Sequence, residues 1–221
     1  MSVTIHTAPA FDAALAAPWR EIPVSIIVDL ARDLAQIDPA IRPLNPPGRQ
    51  PRLFGRAVTA LCEPPDFGAV LHALQEVGSG DVLVIAANGM REFAMIGEIL
   101  GGFLRARGAS GIVCDGAVRD VASLADLKDF AVFARHITPR GPSGGERGAV
   151  NVPVVIGGVR VSPGDLILGD DDGLVALTPA DQRERIGAAQ AKVAKEAEWI
   201  AALAAGRKVA DVFGLGPTIR P

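Results

Sequence analysis

Apolar positions in this chain come in short blocks whose period switches repeatedly between helix-like and strand-like. Val24–Ile37 (VSIIVDLARDLAQI) has helical spacing, and the Pro/Gly-rich stretch 43–51 (PLNPPGRQP) then breaks regular structure. Phe54–Cys62 reads as a strand, and Phe67–Val77 as a helix closed by Gly78 and the Gly80-Asp81 turn. Val82–Ala86 (VLVIA) is continuously apolar, as in a strand covered on both faces. Asn88-Gly89 reads as a turn that shapes at most the rim of a pocket, and Phe93–Arg107 as a helix tolerating three glycines. Gly111–Cys114 is a second buried strand, Val121–Leu127 a short helix and Ala131–Ala134 another strand. This alternation predicts parallel strands with helices as crossovers.

After Thr138 the pattern changes. Val152–Ile156, Val159–Val161, Leu166–Gly169 and Leu174–Leu177 are short, β-branched and separated by Gly-Gly, Pro-Gly-Asp and Asp-Asp-Gly, which predicts antiparallel strands with tight turns. Thr178-Pro179-Ala180-Asp181 should cap a long alanine-rich helix from about 179 to Ala205. The pattern thus gives an α/β class with a late antiparallel portion. Residues 1–20 read as a partly ordered lead-in and 21–221 as a single domain.

Composition narrows the function classes. The 221 residues are 49% apolar with no tyrosine, enough for a core of their own. A net charge of −3 without any Lys/Arg run argues against nucleic acid as the main partner. No window approaches the roughly twenty apolar residues of a membrane span, and the N-terminus lacks a basic start followed by an apolar core, so a cytoplasmic protein with no membrane partner is expected. Cys62 and Cys114 lie in apolar runs and read as buried thiols of a reducing compartment.

The candidate chemistry sits at strand ends. GIVCDGAVRD (Gly111–Asp120) ends an apolar run in a glycine turn and delivers Arg119 and Asp120 to the rim of a sheet. Arg119 offers a fork suited to a carboxylate, and Asp120 hard oxygens suited to a divalent cation. A surface ion pair closing a turn is the other reading of that dipeptide. Gly97-Glu98-Ile99-Leu100 follows the neighbouring strand, so Glu98 and Asp120 can flank one cation, directly or through water. Mg²⁺ suits so sparse a donor set, whereas zinc lacks its Cys/His cluster.

The segments IGEIL, RGASGIVCDGAVRD, VFARHITPRGP, VNVPVVIGGVRVSPGDLILGDDDGLVAL and the late KEAE, in this order, resemble one family: the 4-hydroxy-4-methyl-2-oxoglutarate aldolases and the related RraA-like regulators of ribonuclease E activity. The likeness runs from about Val24 into the C-terminal helix. It implies a layered α/β/β/α sandwich that assembles as a homotrimer or a pair of trimers. Carried over by residue, the backbone of Gly97, Glu98, Ile99 and Leu100 would hold substrate oxygens, Arg119 would bind the 2-oxo acid and Asp120 would ligate Mg²⁺ or Mn²⁺. Glu98 would contact the metal through water, as would a glutamate from a neighbouring subunit's C-terminal helix, matched here by Glu196, with Glu198 as the alternative.

The resemblance implies a metal-dependent pyruvate aldolase. It would cleave 4-hydroxy-4-methyl-2-oxoglutarate or a related 4-substituted 2-oxo acid to pyruvate and a second keto acid, and decarboxylate oxaloacetate through the same pyruvate enolate. A non-catalytic inhibitor of ribonuclease E is the alternative, and the retention of Glu98 and Asp120 favours the enzyme. Lys128, Lys192, Lys195 and Lys208 lie in polar or helical surface contexts, against Schiff-base chemistry. His136 could reach substrate or be an idle loop histidine; His72 reads as structural or solvated, and His6 has no role. Asp115 either orients Arg119 or shapes a turn. Arg135 and Arg140 either meet a second carboxylate or are solvated, within a segment (HITPRGPSGGERGAV) suspected of setting specificity. Asp170-Asp171-Asp172-Gly173, Gly144-Gly145 and Gly157-Gly158 read as turns.

Overall fold

The computed structural model describes residues 2–30 and 36–217. In chain order the first elements are β1 (Thr4–Ile5), α1 (Ala13–Ala16), α2 (Val24–Leu30), β2 (Arg42–Pro43), β3 (Leu53–Leu61) and α3 (Gly68–Glu76). Next come β4 (Val82–Ile96), α4 (Glu98–Ala106), β5 (Gly111–Val118), α5 (Val121–Ala125) and β6 (Ala131–Ile137). The chain closes with β7 (Ala149–Val150), β8 (Val154–Ile156), β9 (Val159–Val161), β10 (Leu166–Asp170), β11 (Gly173–Leu177), α6 (Pro179–Ala204) and α7 (Val209–Phe213).

Strand β3 belongs to two sheets. Its second half pairs in parallel with β4 (Ala57 with Val82 through Leu61 with Ala86), while its first half pairs antiparallel with β10 (Leu53 with Gly169 through Arg56 with Leu166). The main sheet runs β1-β7-β3-β4-β5-β6-β2 and is parallel across β3 to β6; β10 and β11 form a hairpin beside it, and β8 and β9 a separate one. Strand alternation sorts the apolar residues into three cores. One lies between α3, α4, α5 and the main sheet, around Val70, Ile85, Leu104 and Ile112. A second lies between the sheets, around Val84, Val113, Phe133 and Ile167. A third, around Trp19, Ile27, Leu168 and Val175, joins β10 and β11 to α1, α2 and α6. This is the expected α/β/β/α sandwich.

The strand–helix alternation and the late antiparallel hairpins fall where the pattern places them. Thr178 caps α6 in a box: its hydroxyl accepts the Asp181 N–H at 3.2 Å, and the Asp181 carboxylate accepts the Thr178 N–H at 3.1 Å. Two details differ. The helix expected over Phe93–Arg107 begins only at Glu98, because β4 continues through Ile96. Beyond the Asn88-Gly89 excursion it rejoins β5, with Ala94 opposite Ala117 and Ile96 opposite Val118, so pairing with a buried neighbour overrides local helical preference. Of the helix expected over Val24–Ile37, Val24–Leu30 is helical and 31–35 lie outside the described residues. The opening segment docks on the body: β1 pairs with β7, Asp12 caps α1 and Trp19 is fully buried.

Candidate active site

Strand β5 and the long β4 end side by side, and their exits build the site. Adjacent residues of a strand point to opposite faces. Asp120 cancels that alternation by adopting a left-handed conformation (φ +55°), which aspartate tolerates better than most residues. As a result Arg119 and Asp120 turn to one place, with Arg119 Nε 3.6 Å from Asp120 Oδ2. The Arg119 N–H donates to Ile96 O at 3.1 Å, locking this exit to that of β4.

The next residue of the β4 exit is a glycine, which leaves room for the two side chains. A Cβ on Gly97 would sit 2.5 Å from Asp120 Oδ2 and 2.8 Å from Arg119 Cγ. Helix α4 then starts against the site: the Glu98 N–H donates to Asp120 Oδ2 at 3.2 Å, and Ser123 Oγ on α5 donates to Glu98 Oε2 at 3.1 Å. Gly97, Glu98, Ile99, Leu100, Arg119 and Asp120 are therefore brought together, as their sequence positions predict. The N–H groups of Ile99 and Leu100 belong to the first turn of α4, where the helix itself supplies no acceptor.

A cavity of about 210 Å³ opens beside these residues. It is smaller than the ~300–1,000 Å³ of sites for drug-sized ligands, so it suits a small molecule. The Arg119 and Asp120 side chains are 41% and 43% exposed, open to a ligand. Phe67, Leu71, Leu100 and Pro142 add an apolar part to the lining. Sequence reading missed Phe67, Leu71 and Ser123. Only the Gly-Pro of the suspected 136–150 segment hinted at this lining: Pro142 lines the cavity, and a Cβ on Gly141 would meet Arg119 Nη1 at 2.7 Å.

The donors at the site are carboxylate oxygens, the hard ligands that suit magnesium. Asp120 lines the pocket, the Glu98 carboxylate accepts from Ser123 one helical turn away, and no group of three or more His, Cys, Asp or Glu side chains suited to a metal occurs among the described residues. Mg²⁺ keeps most of its waters and needs only one or two carboxylates, whereas zinc sites take three or four protein ligands.

Arg135 and Asp115 belong elsewhere. Arg135 Nε donates to Asp115 Oδ1 at 2.5 Å and Nη1 to Asp38 Oδ2 at 2.6 Å, while Asp115 Oδ2 accepts the Gly157 N–H at 2.7 Å. Asp115 thus orients Arg135 and not Arg119, because it faces the space between the sheets. Burial opposes the Arg135 charge, but the two carboxylates outweigh it and raise the pKa. The Ala40 N–H and Arg135 hold Asp38 below the ordinary carboxylate range. Arg140 lies over Phe93, 5.6 Å from its centroid, and His136 is half-buried on β6; neither lines the cavity. His72 is exposed on α3.

Glu196 and Glu198 lie on α6, in the opposite helical layer, paired on their own helix with Lys192 (3.3 Å) and Lys195 (3.0 Å). One chain alone does not bring them to Asp120. Asp170–Gly173 forms the β10–β11 turn, and Gly157-Gly158 the β8–β9 turn with φ of +51° and +81°. Gly144 packs on Asp66, whose carboxylate accepts the N–H groups of Gly68 (2.7 Å), Glu146 (3.1 Å) and Arg147 (3.1 Å). Burial works against the Asp66 charge, but those three donors keep its pKa low. Cys62 and Cys114 are buried free thiols, Cys62 pushed up to about 12 by burial and Cys114 well up by the same cause. No helix among the described residues is long and apolar enough to cross a membrane.

The fold and site define an α/β/β/α protein with an arginine–carboxylate pocket at the exits of two parallel strands. The chain belongs to the RraA-like family, whose Aldolase/RraA model matches residues 11–176. It is 37% identical over 168 residues to a Halalkalibacterium halodurans protein named "Putative 4-hydroxy-4-methyl-2-oxoglutarate aldolase", covering 76% of this chain and 78% of that one. The solved structure of the RNA-processing inhibitor RraA from Thermus thermophilus is 30% identical, with a TM-score of 0.63 over 71% of this chain and 93% of that one. Streptomyces coelicolor RraAS2, described as an unusual member of the RNase ES inhibitor family, is 26% identical with a TM-score of 0.74, covering 86% of this chain and 96% of that one.

Proposed function

We propose that this protein is a divalent-metal-dependent pyruvate aldolase of the cytoplasm. It cleaves 4-hydroxy-4-methyl-2-oxoglutarate or a related 4-substituted 2-oxo acid to pyruvate and a second keto acid, with oxaloacetate decarboxylation as a side activity. The observation that carries this reading is the convergence of Gly97, Ile99, Leu100, Arg119 and Asp120 on one small cavity, with the Asp120 carboxylate accepting the Glu98 N–H beside it.

The open fork of Arg119 takes the substrate's 1-carboxylate, placing the 2-oxo group beside Asp120. The first-turn N–H groups of Ile99 and Leu100 lie at the positive end of α4 and stabilise oxygen that gains negative charge. Breaking the C3–C4 bond leaves the electron pair on C3, delocalised as the pyruvate enolate. Asp120, with Glu98 acting through water, would hold a Mg²⁺ or Mn²⁺ ion, which would supply Lewis-acid stabilisation of that charge. Glu98, oriented by Ser123, positions the water that exchanges protons with C3 and the departing oxygen. Oxaloacetate loses CO₂ to the same enolate. A neighbouring subunit of a trimer or hexamer brings Glu196 to the site.

The test is pyruvate release from oxaloacetate and from 4-hydroxy-4-methyl-2-oxoglutarate, with Mg²⁺ or with EDTA, for wild type and Asp120→Ala. Release that needs metal and disappears in the variant supports the lyase. Absence of turnover by a folded oligomer sinks it. The similarity to RraA inhibitors supports a second reading, inhibition of ribonuclease E without chemistry. In that case inhibition persists in Asp120→Ala.

A further inference from the structure

Arg119 has to present its fork at one angle, and two neighbours set that angle. Asp120 Oδ2 stands 3.6 Å from Nε. Gly141 comes up against the other end of the guanidinium: a Cβ added there would lie 2.7 Å from Nη1 and 3.5 Å from Cζ. Resting on the lyase reading, we propose that Asp66, a buried carboxylate outside the cavity lining, is a positioning residue for Arg119 and acts through the loop that carries Gly141.

That loop, residues 140–148 (RGPSGGERG), contains four glycines and one proline. It has little apolar side chain to bury, so backbone hydrogen bonds must hold it against the high conformational entropy of a glycine-rich segment. At its start, Arg140 O accepts the Ala94 N–H of β4 at 2.8 Å. Beyond Gly141 and Pro142 its ties run to the turn ahead of α3. The Ser143 N–H donates to Pro65 O at 2.9 Å, and the Phe67 N–H donates to Gly144 O at 3.4 Å.

Asp66 is the centre of this junction. Its Oδ1 accepts the Gly68 N–H at 2.7 Å and the Arg147 N–H at 3.1 Å, and its Oδ2 accepts the Glu146 N–H at 3.1 Å. One carboxylate therefore shapes the turn and grips the loop together. The two segments touch at backbone level: a Cβ on Gly68 would lie 2.6 Å from Gly145 C, and one on Gly144 would run into Asp66 Oδ2. With Asp66 only 8% exposed, water does not readily replace these bonds. Without the grip the loop loosens, Gly141 leaves the guanidinium, and Arg119 samples orientations that miss the substrate's 1-carboxylate. The defect falls on substrate binding, so KM rises while kcat holds.

The measurement is kcat and KM for pyruvate release from oxaloacetate by the intact Mg²⁺-loaded protein, normalised to folded protein by calorimetry. Asp66→Asn keeps one acceptor oxygen and turns an amide donor toward a backbone N–H. Gly144→Ala disturbs the same grip from the loop side and leaves Asp66 in place. Each variant should raise KM on the order of ten- to hundredfold with kcat within about threefold. In an Arg119→Ala background, Asp66→Asn should lower kcat/KM no further, because its effect passes through Arg119. A fall in kcat at unchanged KM, or an Asp66→Asn effect of equal size with and without Arg119, overturns the inference while leaving the lyase intact. Should Asp66→Asn fail to fold, Gly144→Ala is judged by the same two criteria. Failure of the wild type to release pyruvate removes the lyase reading, and the inference with it.

Discussion

Two arginine–carboxylate groups stand at the same edge of the main sheet, and they differ in what they leave open. Arg135 is closed on both sides by Asp115 and Asp38 at 2.5 and 2.6 Å, with 16% of its side chain exposed. Arg119 touches a single carboxylate oxygen at 3.6 Å, with 41% exposed. The residue types are the same and the strands adjacent. What separates them is facing: Arg135 points between the two sheets, where burial demands full pairing, and Arg119 points past the strand end, where it does not. An arginine already engaged by two carboxylates braces the fold; one with its fork open is available to a ligand.

Three substitutions test that contrast and a fourth serves as a remote reference, from the largest effect to the smallest. Arg119→Ala should lower kcat/KM for pyruvate release about 10³-fold while the melting temperature holds, as seen by steady-state kinetics beside calorimetry. Arg135→Ala should do the reverse, with a loss of about 3 kcal/mol in denaturant unfolding and little change in turnover per folded molecule. A large activity loss with unchanged stability in Arg135→Ala would erase the distinction. Gly97→Ala should push Asp120 and Arg119 apart, costing on the order of 10²-fold in kcat with a small stability change, since its Cβ would come 2.5 Å from Asp120 Oδ2.

The smallest effect concerns Asp165, far from either group. Burial raises its pKa to about 6, above the roughly 3.9 of an unfolded chain. Folding therefore favours the protonated form, and the associated stability is lost as pH rises from about 4 to 6. Asp165→Asn should raise stability by about 1–2 kcal/mol at pH 7.5 and by nothing measurable at pH 4, read as the difference in unfolding midpoints.

Much of this arrangement is legible in the chain. Continuous apolar runs such as Val82–Ala86 betray strands buried on both faces, and Gly-Gly or Asp-Asp-Gly between β-branched runs betrays hairpins. Gly97–Leu100 and Arg119-Asp120 follow neighbouring strands and do meet. The end of β4 was not legible, because Phe93–Ile96 carries no local sign that Ala117 and Val118 will pair with it. Nor was the partner of Asp115, since a one-residue alternation decides which sheet face it takes, and its partners Arg135 and Asp38 come from distant segments. The apolar lining escaped for a similar reason: Phe67 and Leu71 look like ordinary core positions until the Asp66 clamp joins their segment to the loop of Pro142.

The sharing of β3 between two sheets has a consequence for how the molecule comes apart. Gly55 lies so close to Gly80 O that a Cβ there would fall 2.0 Å from it, at the point where β3 passes from its β10 partner to its β4 partner. Neither sheet can release β3 without opening the other, and Leu53 finds its partner Gly169 only after the intervening chain has been made. Such a linkage favours one cooperative melting transition over stepwise loss of layers, and slow assembly dominated by contacts between distant parts of the chain.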